Sequence, residues 1–255
     1  MVKTTLTHDR SQAGFTLVEL AIVMIIIGLL IGGILKGQEL IANAQVTATA
    51  SQIKAIEAAT NTFRDSYNAV PGDMLNPATR LPNCAAATVC GANAGNGNNR
   101  VDDDAPGAAQ TANTEGPMFW THLAAADMIG GVDSTVSNVA TWGAQLPAAE
   151  LGGGFTISFS TGNAGTRALA SLDGATTAMQ GHYLALQLLP NAAIGAATNL
   201  ALSPTQAARI DRKLDDGAGR SGSVIGVGGA TCTDAAGVYI EASGGALCNI
   251  YARVQ

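Results

Sequence analysis

Ala13-Gly14-Phe15-Thr16-Leu17-Val18-Glu19-Leu20 opens a run that continues without a break through Ala21-Ile-Val-Met-Ile-Ile-Ile-Gly-Leu-Leu-Ile-Gly-Gly-Ile-Leu35. A polar leader meets a small residue, a long apolar segment follows, and one carboxylate, Glu19, stands five residues after Gly14. From Leu20 to Leu35 there is no charge, polar side chain or proline. As a helix, Phe15 to Leu35 measures roughly 31 Å at 1.5 Å per residue. That length crosses the roughly 30 Å hydrocarbon core of a bilayer. An ordinary secretory signal cut after Ala42-Asn43-Ala44 fits less well, because Glu19 sits at the mouth of the apolar run while Lys36 and Glu39 precede the cut. A plain membrane anchor leaves Glu19 unexplained, since an acid at membrane depth is costly and normally has a partner.

The junction resembles the prepilin signal of type IV pilins and type II secretion pseudopilins, through Gly14, Phe15 and Glu19 within Gly-Phe-Thr-Leu-Val-Glu-Leu. The resemblance covers about the first fifth of the chain. It implies a leader, residues 1–14, cut after Gly14 by a prepilin peptidase, and methylation of the new N-terminal Phe15. It also implies assembly with itself and other pilins in a helical filament, through an inner-membrane platform. Glu19 is then the assembly residue, its carboxylate neutralised by the N-terminal ammonium of a neighbour, because in hydrocarbon the alternative is an unpaired acid. The subunit would sit single-pass in the bacterial inner membrane with a periplasmic head, before joining a surface pilus or a periplasmic pseudopilus. One departure stands out: many type IV pilins carry a proline in the first half of this helix, and here none precedes Pro71.

Beyond the membrane the helix continues. Val46, Thr49, Ile53, Ile56, Thr60, Phe63 and Tyr67 recur at steps of three and four, opposite Gln52, Lys54, Glu57, Asn61 and Asp65. Asn68 and Val70-Pro71-Gly72 supply the stop, so the helix is expected over 15–68. Gly28 and Gly32 form a small-xxx-small pair that lets helices approach closely.

A head over 69–255 follows. Residues 84–116, rich in Gly, Ala and Asn, read as a long loop. Met118 to Ile129 reads as a short helix ended by Gly130-Gly131. Phe155 to Ser160 alternates as a strand with Phe155, Ile157 and Phe159 inward, and His182 to Leu188 is a second, with Leu184, Leu186 and Leu188 on one face. Ser203-Pro204-Thr205-Gln206 is a capping box that starts a helix ended by Asp215-Asp216-Gly217. Further strands are expected at Ser223–Val227, Val238–Glu241 and Asn249–Val254. The expected class is α+β, a long N-terminal helical spine packed on a head with an antiparallel sheet.

Charged residues make up 13% of the chain and aromatics 4%. Low charge with high apolar content argues against disorder. The net charge is −6, and loss of Lys3, Asp9 and Arg10 with the leader takes away a net +1, giving −7. No basic cluster follows the helix, so no specific nucleic-acid surface is expected. The cysteines fall into two local pairs, and with His8, His122 and His182 scattered a zinc site is not expected. For a chain exported across the inner membrane, disulfides Cys84–Cys90 and Cys232–Cys248 are expected.

Asn96, Asn98, Asp102 and Asp104 place oxygen ligands close together on one loop, which is calcium chemistry, although the spacing is not that of an EF loop and a solvated acidic turn is the competing reading. Calcium is the only cofactor the sequence suggests. Asp215 and Asp216 are a weaker candidate, more simply read as helix-ending residues. Catalysis is not expected, since no Gly-x-Ser-x-Gly elbow or His-Glu-x-x-His is present and His122, beside Trp120, reads as a packed or surface histidine. The size of the head points to a minor or atypical pilin, with a pseudopilin as the alternative and a membrane-anchored enzyme behind both.

Overall fold

The computed structural model describes residues 14–85, 89–92, 95–101, 114–133, 141–161, 180–190 and 199–254. Helix α1 runs Leu17–Tyr67 without interruption, 51 residues or roughly 76 Å of rise. The chain divides into two compact units, Met1–Ala44 and Gln45–Gln255. In the first, α1 is apolar all round from Leu20 to Leu35 and its large side chains are exposed, a helix long and apolar enough to cross a membrane. In the second, one stripe of α1 is buried, comprising Val46, Thr49, Ala50, Ile53, Ile56, Ala59, Thr60 and Phe63. This is the predicted face with Ala50 and Ala59 added, while Tyr67 is only half-buried. The helix stops where Asn68 turns left-handed at φ 48°, and the Arg80 guanidinium donates to the Tyr67 carbonyl.

After α1 come short helices α2 (Pro77–Arg80) and α3 (Val89–Ala92), then α4 (Glu115–Ala125). Strands β1 (Gly154–Ser160) and β2 (Gly181–Gln187) precede helix α5 (Pro204–Leu214), strand β3 (Val224–Val227), a 3-10 turn at Gly229–Thr231 and strand β4 (Asn249–Arg253). The strands form one antiparallel sheet in the order β1-β2-β4-β3. Its inner face carries Phe155, Ile157, Leu184, Leu186, Val224, Ile250 and Ala252. These join the α1 stripe and Phe119, Trp120 and Leu123 of α4 in one core. The architecture is therefore α+β, a helical spine with an antiparallel head.

The second sheet face is buried too. Tyr183, Ala185, Ile225, Val227 and Tyr251 form a separate apolar cluster there. Beside it runs a buried polar ladder. Gln187 Nε2 donates to Thr156 Oγ1 (2.7 Å), Asn199 Nδ2 to Gln187 Oε1 (2.6 Å), and Asn249 Nδ2 to the Asn199 carbonyl (2.8 Å). Every member finds a partner, as burial of amides requires.

Several expectations are corrected. Helix α4 ends at Ala125 rather than Ile129, because Asp127 turns left-handed (φ 56°) and Met128 N bonds back to the Leu123 carbonyl at 3.0 Å. That is a Schellman closure with aspartate where glycine is usual. Val238–Glu241 is no strand; its pairing is a single bridge, Thr233 to Tyr239, as Tyr239 turns onto Gly226. Leu188 lies past the end of β2 and is exposed. The capping box at α5 is present, with Ser203 Oγ accepting from Gln206 N and Gln206 Oε1 accepting from Ser203 N. Gly72 is fixed by packing as well as by its φ of +85°, because a Cβ there would lie 2.3 Å from the Glu115 carbonyl.

All four cysteines pair, Cys84–Cys90 and Cys232–Cys248. The second bond ties the turn after β3 to the residue before β4, and closing a loop of that length contributes about 3 kcal/mol in the chain-entropy treatment. Replacing Cys232 and Cys248 together by serine should lower unfolding free energy by about 2–4 kcal/mol. The same exchange at Cys84 and Cys90 should cost less. Urea titrations of the two double variants would test the order.

Candidate functional site

The start of α1 is built from two residues, Thr16 and Glu19. Thr16 immediately precedes the helix, and Glu19 occupies its third position. The Glu19 carboxylate accepts from Thr16 N at 2.9 Å and from Thr16 Oγ1 at 2.8 Å, while Thr16 Oγ1 accepts from Glu19 N at 3.2 Å. This is a reciprocal capping box. It closes backbone donors that would otherwise face hydrocarbon unsatisfied, at a cost of several kcal/mol each. Sequence reading singled out Glu19 and passed over Thr16, although Thr-x-x-Glu before an apolar run is a legible capping signal. Phe15 is 85% exposed, and among the described residues nothing lies within 4 Å of where a Cβ on Gly14 would stand. Gly28 and Gly32 likewise have open space where a Cβ would stand, leaving a shallow strip along the helix. At the far end of the span, Lys36 Nζ pairs with Glu39 at 2.7 Å, both exposed.

Of the four calcium candidates, Asp102 and Asp104 lie outside the described residues. Asn96 and Asn98 use their side-chain oxygens locally, accepting from Asn98 N (3.0 Å) and Arg100 N (2.8 Å). The weaker pair, Asp215 and Asp216, is joined by Asp211 of α5, with carboxylate oxygens all within 4.8 Å. Protein donors already serve each of them. Asp211 accepts from Tyr239 OH (2.9 Å) and Gly217 N (3.2 Å). Asp215 accepts from Ser223 N and Val224 N. Asp216 accepts from Ala218 N (2.8 Å) and Ser221 OH (2.6 Å). The cluster is thus the closing turn of α5, with Asp211 the buried member that the sequence did not reveal. Its burial pushes the carboxyl up to about 6.

His122 is fully buried on α4. Its Nδ1 accepts from Gly72 N at 2.9 Å, so the ring holds the chain just after α1. Burial pushes it down to about 4.

Residues 9–35 match the family model of the prokaryotic N-terminal methylation motif. No curated protein and no solved structure matches the chain. Residues 9–35 therefore carry a prepilin-type signal like that of type IV pilins and pseudopilins. That motif implies processing by a prepilin peptidase and assembly with other pilins, the role of a structural subunit.

His122 and Asp211 give the head opposed responses to acid. The folded state resists protonating His122 down to about 4, whereas the unfolded chain protonates near 6.5. Stability from this group is complete above about 6.5 and is lost as pH falls towards 4. Folded Asp211 holds its proton up to about 6, whereas the unfolded chain releases it near 3.9. Its contribution therefore increases as pH falls from about 6 towards 4. Asp211→Asn should remove that second effect alone. Between pH 7 and pH 4 the wild type should gain about 2–3 kcal/mol relative to the variant. Urea midpoints across that range measure it, and a constant difference would show that Asp211 is ionised throughout.

Proposed function

We propose that the chain is a structural subunit of a type IV pilus-like filament. The prepilin peptidase cuts between Gly14 and Phe15, Phe15 becomes the methylated N-terminus, and residues 15–68 form the assembling helix, membrane-spanning to about Leu35. Residues 69–255 are the head, carried on the periplasmic face of the inner membrane until an assembly platform draws the subunit into the fibre. The observation that carries this reading is the register of Gly14, Phe15 and Glu19 on an apolar helix that runs unbroken into the head. A head of about 187 residues (69–255) is large for the most abundant subunit of a filament, which favours a minor or atypical pilin over a major one.

The physical logic rests on Glu19. Lipid is as apolar as the helices, so hydrophobic burial gives helices in a membrane no register. A neighbour's N-terminal ammonium against Glu19 does, since an unpaired charge in a low-dielectric bundle is strongly disfavoured. The role is architectural, and no step in it requires catalysis.

Intact mass of the protein from its native host should show Phe15 at the N-terminus with one added methyl; an N-terminus at Gln45 would overturn the cleavage assignment. Glu19→Ala should leave membrane insertion intact or improved and the head folded. The fraction of subunit recovered in sheared filaments should nevertheless fall at least tenfold. Undiminished incorporation beside wild-type partners would remove Glu19 from assembly. Imaging an epitope-tagged copy on the cell surface or confined to the envelope separates a pilus from a secretion pseudopilus.

A further inference from the structure

Residues 95–101 pass over the first turn of the head, and their backbone donors end largely on ionisable side chains. Asp73, just after α1, takes three of them. Its Oδ1 accepts from Gly97 N (2.6 Å) and Asn98 N (3.3 Å), and its Oδ2 accepts from Asn99 N (2.5 Å). Glu115, the first residue of α4, accepts from Asn96 N at 3.2 Å. His182 of β2 accepts from Val101 N through Nε2 at 3.2 Å. The two remaining donors are served by the Met74 carbonyl, for Gly95 N, and by Asn98 Oδ1, for Arg100 N. Five consecutive or near-consecutive N–H groups thus meet three titratable groups from three separate parts of the fold, with Asn98 N shared between Asp73 and the nearer Asn96 Oδ1.

We propose that the 95–101 segment is a proton-operated latch, closed when Asp73 and Glu115 are ionised and His182 is neutral, and released in mild acid. The chemistry at each contact has the same sign. A carboxylate accepts from N–H in charge-assisted bonds, and on protonation it loses charge and turns one oxygen into a donor facing those N–H groups. Neutral His182 accepts at Nε2, while the imidazolium donates at both nitrogens and cannot accept from Val101. Asp73 is 3% exposed, and burial raises its carboxyl above the usual range against the pull of the Gly97, Asn99 and Asn98 amides. The latch is therefore poised on its acid side before ordinary surface carboxylates titrate.

Asp102, Asp103 and Asp104 follow the segment in sequence, and among the described residues the other charged and titratable groups near it include Arg100, His122, Arg64 and Asp65. Arg100 lies over the Phe159 ring at 5.1 Å, and that ring meets His182 edge-on at 5.0 Å, so a second positive charge on His182 would face the first across one aromatic. Nearby His122 holds Gly72, the residue before Asp73, in the same neutral-acceptor manner. Arg64 and Asp65, with Asn61 and Asn68 of α1's last turns and Ala69, share with Asn99 a polar cavity of about 290 Å³. Release of the latch takes away the Asn99 wall of that cavity, so protonation reaches the exposed end of α1. The ends of the segment are held independently of pH, by Val101 in the core and by Gly95, where a Cβ would stand 2.2 Å from the Asp73 α-carbon, so release concerns the stretch between them.

The test is amide hydrogen exchange by mass spectrometry on the full-length protein in detergent micelles at pH 7.5 and pH 5, corrected for the intrinsic exchange rate. Protection of peptides spanning 95–101 should fall at least tenfold at pH 5 while peptides from β4 keep theirs. Asp73→Asn, which puts an amide donor against the loop, should show the unprotected pattern at both pH values with β4 intact. Loop protection that is unchanged at pH 5, or that falls only in step with β4, overturns the proposal. So does full loop protection in Asp73→Asn. Should that variant lose β4 protection as well, the wild-type pair of measurements decides alone.

Discussion

The stripe of α1 from Val46 to Phe63 has to be covered, and it is buried in one core with the inner face of the sheet and α4. Upstream, the same helix is apolar on every side and its side chains are exposed. From Val46 onward only one face is apolar, and the other carries Lys54, Glu57, Asn61 and Asp65. The change happens within one unbroken helix, so solvent preference alone marks where the head begins. Phe155, Ile157, Leu184 and Leu186 of the sheet and Phe119, Trp120 and Leu123 of α4 share that core. A fully buried Leu or Phe is worth about 1.5–3 kcal/mol. The stripe therefore outweighs any single turn or cap in the head, and those turns are arranged around it.

At its other end α1 faces a different constraint. Without water, the first backbone donors of the helix must be satisfied by the chain itself. Thr16 and Glu19 do this for each other. In the proposed filament the same carboxylate faces a neighbour's ammonium, so one residue closes its own helix when alone and marks register when assembled. A glutamine could reproduce the cap but not the charge, which is why the two roles are chemically separable.

The helix, its buried face and the inward residues of β1 were legible because burial on one side writes a clean period into the sequence. The capping box at α5 was legible because its residues sit at fixed offsets. What escaped notice lacked such a signature. Strand β2 is buried on both faces, so Tyr183 and Ala185 looked like spacers between leucines. Asp127 closes α4 in a conformation that the sequence signals through glycine at Gly130-Gly131 instead. Tyr239 resembles a strand residue but turns to reach Asp211, 28 positions away in sequence, and a contact at that separation leaves no local pattern. Thr16 is the exception. Its signal was present, and the carboxylate beside it drew the attention. In the 95–101 stretch, clustered asparagines suggested oxygen ligands for a cation, whereas the backbone presents a row of donors to Asp73.

In the proposed filament each subunit is loaded along its length, and the Cys232–Cys248 bond then acquires a mechanical meaning. Pulled from its ends, a chain lengthens by about 3.4 Å for every residue that leaves the fold. The residues between these cysteines, separated by 16 positions, cannot join that extension while the bond is intact. Roughly 50 Å of contour is thereby withheld from any stretched state. The bond also spans the entry to β4, the strand between β2 and β3. Tension that strips β4 from its neighbours passes at Cys248 through the bond to Cys232, and the covalent ring between them adds no length.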